Sequence, residues 1–166
     1  PVAGTQPNAD CSAFRVSMNR SIWDRLALPL SLDGSYYVKT TTVETAERGR
    51  SPLGAYVRYL MDGSHGNMIH STVPPGMVGR ACHFRIIDEF WYVLSGEGEI
   101  WRRAPDGHES TTRLIPGMCV DITLGTAFQY RCTGCVPIVF TCTAMPPWPG
   151  DDEAVIVDGP WVPCVD

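Results

Sequence analysis

The sequence predicts an all-β protein, one domain of short antiparallel strands closed into a sandwich or barrel. Three observations predict it. Strand-sized runs of β-branched and aromatic residues recur along most of the 166 positions. Turn residues, drawn from 16 glycines and 14 prolines, separate those runs. A helical pattern is confined to residues 20–28, where Pro29 stops it.

In chain order the candidate strands are 35–43, 54–60, 67–73, 81–87, 89–94, 97–103, 110–115, 118–124, 126–132 and 136–143. Asp62-Gly63, Pro74-Pro75-Gly76, Ser95-Gly96, Pro105-Asp106-Gly107, Pro116-Gly117 and Thr133-Gly134 mark turns between them. The densest apolar run, 136–140, is strand-sized. A membrane helix needs about 20 apolar residues, so no membrane partner is expected. Residues 1–66 read as an N-terminal arm with additional strands, 67–145 as the barrel, and 146–166 as an extended tail pinned by Trp148 and Trp161. Together they make one structural domain.

Composition narrows the function classes. Apolar residues are 44% and charged residues 19%, which suits a globular chain with a real core. The net charge is −5 and the basic residues are scattered, which argues against nucleic acid as a partner. No charged-then-apolar leader is visible. The seven cysteines, at 11, 82, 119, 132, 135, 142 and 164, lack the spacing of a disulfide framework. They point to core filling and a reducing, cytoplasmic setting. Cys132-Thr-Gly-Cys135 reads as a hairpin turn, with a local disulfide as the alternative.

Two segments carry chemistry. In the first, Gly79 is followed by His83, Arg85, Glu89 and Gly96; in the second, Gly117 is followed by Thr123, Gly125, Phe128 and Cys132. Their spacing resembles the two motifs of the cupin superfamily, over about half the chain. The resemblance implies a double-stranded β-helix, a jelly-roll barrel with extra N-terminal strands. It also implies a ligand set of three His and one Glu for a divalent metal. Carried over position by position, Arg85 stands at the second His and Phe128 at the third, so only His83 and Glu89 remain. A catalytic metal normally takes three protein groups, and Arg offers no lone pair. No metal and no other cofactor is therefore expected; if one binds, His83 and Glu89 hold it.

Strand parity puts His83 with Arg85 on one face and Glu89 with Trp91 on one face. If both faces turn inward, the three charged groups share a cavity. Arg85 then reads either as a clamp for a substrate anion or carbonyl, or as a buried ion pair with Glu89. His70 reads as a further acid–base group or as a structural histidine. Trp91, Trp101, Phe128 and Tyr130 read as a substrate-binding wall or as core packing. The resemblance implies an enzyme that isomerises, epimerises or cyclises a natural-product-like organic molecule without a metal. The alternatives are a metal-dependent oxygenase with a reduced His/Glu set and a non-catalytic ligand-binding cupin. A small-molecule substrate and a homodimer are the expected partners.

Overall fold

The structure, a computed structural model, describes residues 39–165. The expected helix at 20–28 and the start of the expected strand at 35–43 lie outside them. Residues 39–43 form coil and turn rather than strand.

Eleven strands follow in order: β1 Glu47–Arg50, β2 Tyr56–Asp62, β3 Asn67–Val73, β4 Cys82–Phe84, β5 Asp88–Ser95, β6 Gly98–Arg103, β7 Glu109–Leu114, β8 Cys119–Ile122, β9 Ala127–Cys132, β10 Ile138–Met145 and β11 Ala154–Ile156. A 3-10 turn at Asp151–Glu153 precedes β11. No described helix is long and apolar enough to cross a membrane.

All named strand pairs are antiparallel and form two sheets. The larger has the order β1-β2-β3-β10-β5-β8 and the smaller β11-β4-β9-β6-β7. Alternation builds the core between them. Val73, Val93, Ile122, Ile138 and Phe140 face inward from the larger sheet; Cys82, Ile100 and Phe128 face inward from the smaller. Full burial of an aliphatic or aromatic side chain contributes roughly 1.5–3 kcal/mol, so this stripe of alternate positions dominates the fold's stability. Two turns depend on glycine. Gly96 has φ +76°, and a Cβ there would overlap the Pro137 carbonyl; Gly125 has φ +81°.

The tail does more than lie extended on the surface. β11 adds a strand beside β4. The buried Glu153 carboxylate accepts backbone N–H bonds from Ile86 at 2.7 Å and Ile87 at 3.1 Å. Those two amides sit in a break between β4 and β5, where the sequence suggested nearly continuous strand. Arg85 and Ile86 form a bend, so the inward positions shift from even numbers to odd. Cys82 and Phe84 are buried before the bend, and Ile87, Glu89, Trp91 and Val93 after it.

Candidate ligand cavity

The register of the larger sheet places inward side chains in rungs. Asn67 of β3, Ala144 of β10, Glu89 of β5 and Ile122 of β8 form one rung. Tyr59, Ile69, Cys142, Trp91 and Val120 form the next, and Val57, Ser71, Phe140 and Val93 the third. Neighbouring strands lie roughly 4.8 Å apart, so Asn67 and Glu89 stand on the order of 10 Å apart across Ala144. The small Ala144 side chain leaves the space between them open. Phe84 and Tyr130 from the smaller sheet, with Trp148 and Asp151 from the tail, complete a cavity of about 80 Å³. A cavity of about 150 Å³ holds benzene, so this one admits a small group, with the rest of a ligand in the mouth.

Glu89 is the main polar feature of the cavity. It is 7% exposed, and Trp91 Nε1 donates to its Oε2 at 2.8 Å. No described Lys, Arg or His pairs with it. Burial penalises the charged form and pushes the carboxyl up to about 7, against the pull of the Trp91 N–H. Such a group exchanges protons near neutral pH.

Aromatic packing fixes Trp91. Phe140 stacks on it with centroids 4.4 Å apart, and Phe128 and Tyr130 meet it edge-on at 5.8 and 5.5 Å. A ring clamped on several sides cannot swing, so its N–H holds one carboxyl oxygen in place. The Tyr130 hydroxyl reaches Ser51 and the Ala55 backbone, and burial raises its proton affinity. The Cys142 thiol and Ser71 hydroxyl lie 3.7 Å apart. Burial pushes that thiol well up too.

The structure brings together Glu89, Trp91 and Tyr130 on the cavity wall, with Phe128 packed behind Phe84 and Trp91. The other expected residues are elsewhere. His83 lies on the opposite face of β4 from Cys82 and Phe84, and its Nδ1 is 3.1 Å from the Phe84 carbonyl. Arg85 is exposed, and its Nε donates to the Asp152 carbonyl at 2.8 Å. Neither reaches the cavity, because the bend reverses parity between them and Glu89; the expected Arg85–Glu89 pair is absent. His70 points outward between inward Ile69 and Ser71, paired across strands with Arg58 and Thr141. Its Nδ1 is buried with no hydrogen-bond partner among the described residues, and burial lowers its pKa. Trp101 is buried outside the core, donating to Glu109 at 3.2 Å beneath the Arg103 guanidinium.

The sequence reading missed Asn67, Ser71, Cys142, Ala144 and Trp148. The first two follow from period-two alternation in 67–73, where Ile69 and Val73 mark the inward set. The bland Cys and Ala of β10 carried no chemical signal, and Trp148 was read only as an anchor.

The divalent metal that the motif resemblance implies does not fit these residues. Of its four positions only Glu89 faces the cavity. Among the described residues no group of three His, Cys, Asp or Glu side chains is placed to hold a metal.

The two antiparallel sheets thus hold between them a partly open, largely apolar cavity with one buried carboxyl. The chain has the double-stranded β-helix fold of the cupins, as its similarity to solved structures shows. Oxalate decarboxylase from Lactobacillus farciminis matches with a TM-score of 0.63 at 12% identity, over 75% of this chain and 37% of that one. This chain thus spans well under half the length of that enzyme. Streptomyces Pac13, a nucleoside dehydratase solved with uridine, gives 0.59 at 15% identity, over 73% and 91%. KdgF from Halomonas gives 0.58 at 15% identity, over 69% and 98%. No family model matches the chain, and no curated protein does.

Proposed function

We propose that this protein is a metal-independent cupin enzyme that binds a small, largely apolar organic molecule and moves a proton with Glu89. One observation carries the reading: a buried carboxyl without a counter-ion, one oxygen held by Trp91, facing an aromatic cavity. Near neutral pH Glu89 is divided between acid and base, the condition under which one group can both remove and return a proton. Isomerisation, epimerisation and cyclisation need that and no external oxidant. The apolar walls keep water from competing for the carboxyl and hold the substrate in one orientation. Pac13 is a dehydratase, which supports proton transfer as a chemistry this fold carries out without establishing it here.

The chain is read as a homodimer. The outward face of β5 at the larger sheet exposes Phe90, Tyr92 and Leu94, and an apolar row of this kind supports pairing.

The catalytic reading is tested with solvent deuterium. Small organic compounds that bind wild type but not Glu89→Gln are incubated with each protein in heavy water. Deuterium entering a compound with wild type alone is the expected result. No exchange into any Glu89-dependent ligand would contradict it.

A further inference from the structure

We infer that the ligand of this cavity carries a cationic nitrogen, a protonated amine that sits against Glu89 as its counter-ion. The inference rests on the reading of this cavity as the ligand site, and adds the chemical class. It follows from the charges facing Glu89. From β10 comes Cys142 and from β4 Cys82, thiols that burial holds in the neutral form. β9 supplies Tyr130, likewise neutral, and β3 supplies the uncharged Asn67 and Ser71. The tail adds a second acid, Asp151. Among the described residues the one cation lining the cavity is Arg50, whose Nε donates to the Gly54 carbonyl at 3.3 Å and whose guanidinium lies 5.6 Å from the Tyr56 ring centroid. It makes no ion pair with Glu89.

Among the described residues the lining therefore holds two acids, Glu89 and Asp151, against one cation, Arg50, and no ion pair joins them. A carboxylate or phosphate ligand would be repelled by Glu89 and Asp151, and Arg50 is the single cation of the described lining that could offset them. An ammonium group supplies what the protein omits, because a buried charge is tolerated when paired. The surrounding rings of Phe84, Tyr130 and Trp148 suit a cation as well, since aromatic faces carry negative charge density and attract ammonium groups. Asn67 Oδ1 already accepts from the Trp148 backbone at 3.3 Å, so a ligand meets the amide's other end across Ala144.

Three probes of one shape and three charges test this: benzylamine, benzyl alcohol and benzoate. Each is titrated at neutral pH while Trp91 and Trp148 fluorescence is followed. Benzylamine is expected to bind at least tenfold more tightly than the alcohol, and benzoate not measurably. Glu89→Gln should erase the amine's advantage. Ala144→Leu, which fills the floor but keeps the carboxyl, should weaken benzylamine and benzyl alcohol alike. Benzyl alcohol binding as well as benzylamine, in a Glu89-dependent way, overturns the amine class and leaves the cavity reading standing. Failure of all three probes to perturb the wild-type tryptophans overturns both.

Discussion

The indole N–H of Trp91 donates to the carboxyl of Glu89 at 2.8 Å, from two inward positions of the same strand. A donor on the ionised form lowers a carboxyl's pKa, so Trp91 restrains the rise that burial causes. Trp91→Phe should keep most of the ring packing and remove the donor. The Glu89 midpoint should then move above its wild-type value, read from the pH dependence of the melting temperature. An unchanged midpoint would mean that the indole does not act on the carboxyl.

Glu89 also sets a sign for stability against pH. Its folded pKa, about 7, exceeds the unfolded value, so between roughly pH 4.3 and 7 the unfolded chain releases the proton first. Below that window the group contributes nothing; as pH rises through it, stability falls, and above it the full penalty persists. A shift of this size corresponds to about 4 kcal/mol. Glu89→Gln should therefore melt higher than wild type at pH 8 and much as wild type does at pH 4, while losing ligand. Denaturant melts at the two pH values check this, and a variant less stable at pH 8 would refute it.

Arg85 and His83 lie outside the cavity, which gives a contrasting expectation. Arg85→Ala removes one exposed hydrogen bond to the Asp152 carbonyl, so it should cost within about 1 kcal/mol. Ligand affinity should not change in Arg85→Ala or His83→Ala. A loss of binding with intact melting would restore the clamp reading of Arg85.

The barrel was legible in the sequence because its signals are local. Alternation, turn glycines and the spacing of Glu89 to Gly96 survive in a single chain. The partition of the first motif was not. Cys82-His83-Phe84-Arg85 alternates apolar and polar, and that plain pattern assigns Cys82 and Phe84 to the interior. Carrying the motif's ligand positions onto His83 and Arg85 set that pattern aside. What fixes the parity change is the bend at 85–86, held by Glu153 from 66 and 67 residues further along. No local pattern reports a contact at that separation. Asn67, Ala144 and Glu89 likewise meet only through strand pairing, and Trp148 joins them through the tail.

Because one of four expected ligand positions faces the cavity, the purified protein should carry well under one iron, manganese, nickel or zinc per chain. A stoichiometric metal by elemental analysis, lost in Glu89→Gln, would contradict the metal-independent account.

Glu89 is a buried acid with no ion-pair partner among the described residues and with raised proton affinity. Carbon-13 NMR titration of the side-chain carboxyls, comparing wild type with Glu89→Gln, tests this directly. One carboxyl signal should be absent from the variant and titrate near pH 7 in wild type. A Glu89 signal titrating near the ordinary value of about 4.3 would contradict it.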